Sequence, residues 1–500
     1  MQRFRVRAVI VSLGLGWAAA VLAQALPEEV SQALARAGVP EAHVSMTVVP
    51  LAPPPGTVSR VAAPVNPSGE ANPAPATAAP PAPRLSWQAD VPMNPASVMK
   101  LVTTYAGLDL LGPAYFWKTR VYTQGYVHDG VLHGDLLIQG SGDPKLVRER
   151  LAELIAAIRD KGVRSIDGDI LLDGSVFRLP PHDPAAFDDD PLRPYNVGPD
   201  GLLVNFKALV LRFIPDPVTR RVRVESEPPM AGVRVPTRVA SAKGACGDWQ
   251  ARLAADFSDP SEVRLAGRYP WSCGEREWAV AYADPASHAP RVIEGMWRAA
   301  SGGLSGQVRW LDRPATGQPL VTGYSLPLLD IVDDINLYSN NVMAQQLFLT
   351  LSAAGDGRGS FAESTNRLRR WWRERFGLRA APVLDNGSGL SREGRISADA
   401  LVALLQDAAR SPHAEAFQHS LPLAGVTGTA RFLARRSPGS EAIGRARLKT
   451  GSLRDVAAIA GYAFGRSGQV YAVVGLINDP NAGAARAALD RLVEWAVRDQ

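Results

Sequence analysis

Three short motifs stand in one order along the chain and combine hydroxyl, amine and amide side chains that could carry out acyl transfer. They are Ser97-Val98-Met99-Lys100, Ser339-Asn340-Asn341 and Lys449-Thr450-Gly451. A serine hydroxyl is a poor nucleophile until a neighbouring base takes its proton, and a lysine of lowered pKa can act as that base. Each motif alone is a weak signal, since S-x-x-K arises by chance in most chains of this size. Their order and surroundings together predict a nucleophilic serine site.

The first motif lies at the start of a predicted helix. Asn94-Pro95 provides a capping side chain and a proline suited to the first turn, and the helix should run to about Leu111. Three residues apart, Ser97 and Lys100 project from one helix face, so Lys100 can activate Ser97 as the nucleophile. A solvated lysine on a surface helix is the alternative, and the otherwise apolar helix argues against it.

The second motif should place two polar side chains at a cleft. Ser339 and Asn341 are two residues apart and would diverge on a regular helix, so we expect them on a loop entering a helix at about residues 342–351. There Ser339 could relay protons to a leaving amine and Asn341 could hold a substrate amide. The alternative is that Ser339 only caps that helix, which is common for serine.

The third motif is predicted to lie on a strand of the C-terminal sheet. We expect Lys449 to supply a fixed cation for a substrate carboxylate or for tuning the lysine of the first motif. Thr450, Gly451 and Ser452 should bind substrate, because the missing side chain of Gly451 lets a peptide lie along the strand. The backbone N–H groups of Ser97 and Ser452 are candidates for an oxyanion hole. The alternative is a plain strand end followed by a turn.

The N-terminal residues predict export. Three arginines within the first seven residues precede an apolar run over residues 8–22, and small residues follow. This order is typical of a secretory signal peptide over residues 1–25, and the run is shorter than a membrane span needs. A buried N-terminal helix is the less favoured alternative.

In an oxidising compartment Cys246 and Cys273 are expected to form a disulfide rather than remain free thiols, and two cysteines without nearby histidines do not make a zinc site.

Composition excludes some classes of function. The formal net charge of +5 includes the three leader arginines, so the remaining chain carries +2. No basic run with interleaved aromatic residues is present, and we therefore expect no nucleic-acid partner. With 46% hydrophobic and 21% charged residues among 500, the chain is an ordinary globular protein of more than one domain.

The elements around the motifs predict an α+β core split by an insertion. Residues 26–121 should form its first part, including a strand at 43–50 and a flexible Pro/Ala-rich loop at 52–84. Residues 122–292 show short alternating segments with Gly-Asp turns, which indicate one or two β-rich inserted domains. Residues 293–500 should return to the core and end in three antiparallel strands crossed by a helix. We expect the N-terminal strand to complete that sheet.

With these motifs the chain resembles the D-alanyl-D-alanine carboxypeptidase/endopeptidases among class C low-molecular-mass penicillin-binding proteins, the DacB-like family. Similar stretches outside the motifs are Gly134-Asp135-Leu136 with residues 140–144, and the segments 385–392, 421–429 and 460–462. The resemblance implies a β-lactamase/transpeptidase-like core of antiparallel sheet and helices, split by inserted domains. It also implies acylation of Ser97 by a D-Ala-D-Ala peptide, release of D-alanine, hydrolysis, and covalent trapping by penicillins.

The same resemblance sets expectations for partners and location. The substrates would be peptidoglycan peptides, with β-lactams as inhibitors, in the periplasm and without metal or cofactor. Loose association with membrane or wall, and with other cell-wall enzymes, is left open. Position 452 is Ser where the family usually has Thr, and the hydroxyl survives. The Pro/Ala-rich loop is an addition to the family pattern.

Two rival functions remain at this stage. A β-lactamase would use the same acylation with fast deacylation, but no dedicated deacylating carboxylate is identifiable and the large insertion argues against it. A catalytically silent wall-binding or scaffold protein could share the fold, but every motif side chain is intact. A histidine-based triad lacks context, because His128 and His133 lie in an alternating segment with no nucleophile-elbow pattern.

Overall fold

A computed structural model describes residues 25–52, 82–311, 317–377, 379 and 381–499. Two predicted segments, the signal peptide and the Pro/Ala-rich loop, lie mostly outside these ranges. Residues 1–24 of the expected signal peptide and residues 53–81 of the expected Pro/Ala-rich loop lie outside the described residues. No helix in the described ranges combines the length and the apolar character that crossing a bilayer requires.

The described residues form helices and strands in a mixed order. The helices are α1 Glu28–Ala37, α2 Lys100–Leu111, α3 Arg148–Asp160, α4 Trp249–Arg252, α5 Pro285–Ala299, α6 Leu328–Tyr338, α7 Asn341–Asp356, α8 Phe361–Phe376, α9 Ala398–Ala408, α10 Ala414–Ser420, α11 Leu433–Arg436 and α12 Arg486–Val497. The strands are β1 Val44–Pro50, β2 Leu85–Trp87, β3 Lys118–His128, β4 Val131–Gln139, β5 Ser165–Ile166, β6 Ile170–Asp173, β7 Ala208–Asp216, β8 Arg221–Glu227, β9 Arg238–Ala242, β10 Ala255–Asp256, β11 Arg264–Leu265, β12 Arg268–Pro270, β13 Arg276–Ala281, β14 Gly303–Leu304, β15 Val308–Trp310, β16 Val321–Tyr324, β17 Ala446–Leu453, β18 Val456–Phe464 and β19 Val470–Asn478.

A five-stranded antiparallel sheet in the order β17-β18-β19-β1-β2 carries the third motif on its edge strand β17. The predicted N-terminal strand completes this sheet, with Val48 opposite Val473, and β2 pairs with β1 as the expected hairpin. One face of the sheet packs against α1 and α12, and the other packs against α2, α6, α7 and α9. The predicted α+β class is therefore confirmed. Because both faces are covered, the strands are buried along most of their length.

The chain between α2 and α6 builds two larger sheets and a two-stranded sheet of β10 and β11. One has the path β14-β5-β4-β3-β16, with β6 and β15 attached, and packs against α3 and α5. The other has the order β12-β9-β8-β7-β13. The predicted disulfide is confirmed, since Cys246 and Cys273 are joined beside this second sheet.

Strand pairing suggests other limits for the inserted region than the sequence does. The sequence places residues 293–324 in the core, whereas β14, β15 and β16 pair with β5, β6 and β3. At the other end β3 begins at Lys118, four residues before the expected limit. Strands β14, β15 and β16 are only two to four residues long, so their sequences show no hydrophobic periodicity. Their position is set by pairing with strands that are distant in sequence. The pairing favours limits of about 118 and 324.

Candidate active site

The first motif lies on a 3₁₀ turn that leads directly into α2. Ala96–Met99 form that turn, and the Asn94 side chain accepts a hydrogen bond from the Ala96 backbone N–H at 2.9 Å. The helix ends at Leu111 before Gly112, as the sequence predicts. Because Lys100 follows Ser97 by one turn, its Nζ lies 2.9 Å from the Ser97 Oγ. Nucleophile and base therefore lie within hydrogen-bonding reach of each other.

Lys100 is a buried amine surrounded by neutral acceptors. Its side chain is inaccessible to solvent, and its Nζ donates to the Asn341 Oδ1 and to the Ser388 carbonyl oxygen, both at 2.6 Å. Among the described residues no carboxylate forms an ion pair with it. Burial first, and then the nearby charge of Lys449, hold its pKa well below the ordinary value. A lysine with a lowered pKa can take a proton at physiological pH, so the solvated-lysine alternative is wrong.

The second motif connects α6 to α7, with each of its three residues in a separate role. Ser339 follows α6 in the left-handed conformation, with φ of 59°, and accepts a hydrogen bond at its Oγ from the Lys449 Nζ at 2.8 Å. The helix cap of α7 is instead Asn340, whose side chain accepts from the Met343 N–H. Ser339 therefore does not cap α7, which was the alternative to a role in the site.

Asn341 is the first residue of α7 rather than a loop residue, because the helix begins one residue earlier than the sequence indicated. Its Oδ1 accepts from Lys100, and its Nδ2 donates to the Tyr195 carbonyl oxygen at 3.0 Å. The expected role of holding a substrate amide remains a prediction. In this structure the side chain anchors Lys100.

The third motif forms the wall opposite the nucleophile. Lys449 is fully buried, and its Nζ donates to the Ser339 Oγ and to the Thr450 carbonyl oxygen, each at 2.8 Å. Burial lowers its pKa to about 7. The expected role of Lys449 as a fixed cation remains a prediction.

Gly451 allows β17 to lie against the nucleophile turn. A Cβ at this position would lie 2.5 Å from the Pro95 carbonyl oxygen and 3.1 Å from the Ser97 nitrogen. No larger residue fits while the two segments keep this separation. Ser97, Ser339, Thr450, Gly451 and Ser452 line one groove of about 640 Å³.

Three contributors to the site carried no role in the sequence analysis. The Ser388 and Tyr195 backbone carbonyls hold the Lys100–Asn341 pair, and Thr429 Oγ1 accepts a hydrogen bond from Thr450 Oγ1 at 2.7 Å. Ser388 and Thr429 lie within stretches that supported the family resemblance, so a signal existed for them. The role of the Tyr195 carbonyl could not be predicted, because every residue has a backbone carbonyl whatever its type. No group of three or more His, Cys, Asp or Glu side chains in the described ranges could hold a metal ion.

Known proteins resemble this chain in sequence and in architecture. A D-alanyl-D-alanine carboxypeptidase of Actinomadura sp. (strain R39) is 26% identical over 419 residues, which cover 80% of this chain and 77% of that protein. The D-alanyl-D-alanine carboxypeptidase DacB of Haemophilus influenzae is 24% identical over 402 residues, covering 78% and 81%.

Solved structures agree with these relatives. The crystal structure of penicillin binding protein 4 (dacB) from Haemophilus influenzae matches with a TM-score of 0.68 and 22% identity, over 93% of this chain and 99% of that one. The same protein complexed with a β-lactam matches with a TM-score of 0.66 and 21% identity, over 94% and 98%. The predicted core split by inserted domains is therefore confirmed at the level of the fold.

The family match agrees with the order of the motifs. Residues 78–498 match the family described as D-Ala-D-Ala carboxypeptidase 3 (S13), and this range contains all three motifs. The match spans most of the sequence, so the chain belongs to the D-Ala-D-Ala carboxypeptidase 3 (S13) family and is a serine-type D-Ala-D-Ala carboxypeptidase.

Proposed function

We propose that the protein cleaves peptidoglycan stem peptides through an acyl-enzyme on Ser97, as carboxypeptidase and endopeptidase, and that β-lactams trap the same serine. The observation that carries this proposal is the buried Lys100 amine, 2.9 Å from the Ser97 hydroxyl and without a carboxylate partner among the described residues. Burial lowers the pKa of such an amine and so favours the neutral state that a general base requires.

The steps follow from the positions of the side chains. Lys100 takes the Ser97 proton while Oγ attacks the carbonyl carbon of the penultimate D-alanine. The backbone N–H groups of Ser97 and Ser452 are proposed to stabilise the negatively charged oxygen that develops. The C–N bond then breaks, and the proton that Lys100 took from Ser97 passes to the leaving amine by way of the Ser339 hydroxyl, which leaves Lys100 neutral again. Water attacks the acyl-enzyme in the second half, which restores the Ser97 hydroxyl and releases the shortened peptide.

Substrate recognition is proposed for the third motif. The protonated form of Lys449 attracts the terminal carboxylate, and the hydroxyls of Thr450 and Ser452 complete its hydrogen bonds. The Thr450 hydroxyl donates to Thr429 at 2.7 Å, so binding a carboxylate requires this bond to reverse, with Thr429 donating to Thr450. The disulfide between Cys246 and Cys273 suits an oxidising compartment. It supports the proposal of export to the periplasm through a signal peptide at residues 1–25.

The test is the site and lifetime of a penicillin adduct. We expect one adduct per chain, located by peptide mapping on Ser97, and no adduct on Ser97→Ala although that variant folds. Ser339→Ala is the matched control, since losing the hydroxyl that relays a proton to the leaving nitrogen should slow formation of the adduct but leave its position on Ser97. An adduct on any other residue would refute the mechanism, and an adduct that turns over within seconds would indicate a β-lactamase.

The endopeptidase part of the proposal has its own test. Defined monomeric and cross-linked muropeptides are incubated with the protein, and the products are identified by mass spectrometry. We expect D-alanine release from the monomer and separation of the cross-linked pair, both abolished in Ser97→Ala. Release of D-alanine alone would restrict the activity to carboxypeptidase.

A further inference from the structure

The groove that contains Ser97 extends beyond the residues of the three motifs. It continues past the edge strand β17 to α11 and α12, where Phe432, Arg435, Arg436, Arg486, Leu489 and Asp490 line it. We call these six residues the arginine end of the groove. The whole space measures about 640 Å³, which is larger than a single terminal D-alanine requires.

Strand geometry shows on which side of the site the arginine end lies. Thr450 and Ser452 pair with Ile459 and Ala457, and these two partners belong to the apolar cluster that packs against α12. Gly451, between them, faces the Ser97 turn instead. The groove therefore passes from the nucleophile around the edge of β17 to α12. The hydroxyls proposed to bind the carboxylate of the leaving residue lie between the nucleophile and the arginine end.

One of the three arginines at the arginine end is neutralised by a carboxylate. Arg436 forms a bidentate ion pair with the buried Asp490, at 2.8 and 2.9 Å. Arg435 on α11 is exposed, and Arg486 at the start of α12 is half-buried. In the parts of the chain that the structure describes, neither Arg435 nor Arg486 forms an ion pair with a carboxylate. The Arg436–Asp490 pair thus fixes α11 against α12, and two arginines stay available for an anion.

Arginine presents a planar fork of N–H donors that matches a carboxylate. Phe432 adds a ring that is 39% exposed and could cover the methylene groups of a side chain. The ligand that fits these features is a flexible carbon chain that carries a carboxylate at its far end.

We propose that the arginine end is a leaving-group subsite, which binds a second carboxylate on the amine released from Ser97. The inference rests on the proposed acylation of Ser97 and extends it to the choice of substrate. A leaving residue with a second acidic group would engage Arg435 and Arg486, whereas terminal D-alanine reaches only the β17 hydroxyls. The enzyme therefore favours acidic, extended leaving peptides over D-alanine.

The test compares leaving residues of equal size and different charge. N-acyl-L-Lys-D-Ala-X peptides are made with X as D-glutamate, D-2-aminopimelate, the side-chain amide of each, and D-alanine. For at least one side-chain length we expect kcat/KM to be about fivefold higher for the acid than for its amide, as a partly exposed ion pair provides. The preference should decrease at high salt.

Variants then assign the preference to the groove. In the double variant Arg435→Gln with Arg486→Gln the ratio of acid to amide should fall to about one, while D-alanine release changes less than twofold. Arg431→Gln is the matched control, because Arg431 is on the adjoining turn, donates to the Gly428 carbonyl oxygen and does not line the groove. This control should keep the preference.

Three results would overturn the subsite. The wild type could show no preference for either acid, the double variant could retain one, or the substitutions could slow D-alanine release as much as release of the diacids. Failure of the acylation proposal gives a different result, namely no penicillin adduct on Ser97 and no D-alanine release. In that event calorimetric titration with free D-2-aminopimelate still tests whether the subsite binds a carboxylate. The affinity of the protein for this compound must fall in the double variant and must not fall in Arg431→Gln.

Discussion

Replacing Gly451 by alanine tests whether the distance between β17 and the nucleophile turn sets the rate of acylation. The added Cβ would lie 2.5 Å from the Pro95 carbonyl oxygen, whereas carbon and oxygen atoms in close contact are about 3.3 Å apart. The strand and the turn must therefore separate by roughly 0.8 Å. The Pro95 carbonyl oxygen and the Ser97 nitrogen, which the Cβ would approach, are both backbone atoms. Rotation of a side chain therefore cannot relieve these two contacts. The change moves the Ser452 N–H away from the Ser97 N–H.

A displacement of this size at a reacting centre costs about 100-fold in rate. We expect Gly451→Ala to lower the second-order rate constant of acylation by a fluorescent penicillin by about that factor, with a circular dichroism spectrum like that of the wild type. Gly483→Ala is the matched control, because no atom lies within 4 Å of a Cβ built there. If Gly451→Ala acylates as fast as Gly483→Ala while folded, the proposed oxyanion hole between β17 and the turn is wrong.

Three further predictions concern charge, the disulfide and the long loop. Acylation by penicillin should slow as pH rises through about 7, because Lys449 loses the charge that attracts the ligand carboxylate; penicillin methyl ester, which lacks that carboxylate, should not show this decline in stopped-flow measurements. Replacing Cys246 and Cys273 by serine should lower the free energy of unfolding by about 3.5 kcal/mol for a loop of this length, measured by urea titration, while the acylation rate constant stays within twofold. Shortening residues 52–84 to a tight turn should leave acylation unchanged, and a tenfold slower reaction, about 1.4 kcal/mol of barrier, would mean that this segment contacts the catalytic helix.

Sequence reasoning succeeded where a local pattern and a tertiary contact point to the same structure. The alternation in β1 predicted a strand, and the apolar sequence around Lys100 predicted its burial, because a helix that is apolar on every side must be covered. The hairpin of β1 and β2 could be predicted across about thirty intervening residues, since loop-closure entropy rises slowly with loop length.

The same reasoning failed where long-range contacts decide the outcome. The short strands β14–β16 owe their conformation to pairing with strands more than a hundred residues earlier. The lowered pKa of Lys449 depends on how fully the fold desolvates its amine, which residue type does not reveal. Arg435 and Arg486 lie on different helices, and only the three-dimensional fold brings them to one groove.

The hydrogen bond from Asn341 to the Tyr195 carbonyl has a consequence for any attempt to engineer a smaller enzyme. Tyr195 belongs to the inserted region, yet its backbone completes the side chain that anchors Lys100. Deleting the insertion to leave a catalytic fragment the size of a β-lactamase would strip an acceptor from Asn341 and admit water beside Lys100. Contact with water would raise the pKa of the amine. The chemistry of this enzyme thus depends on the inserted region as well as on the core, and minimisation would have to rebuild that acceptor on the core itself.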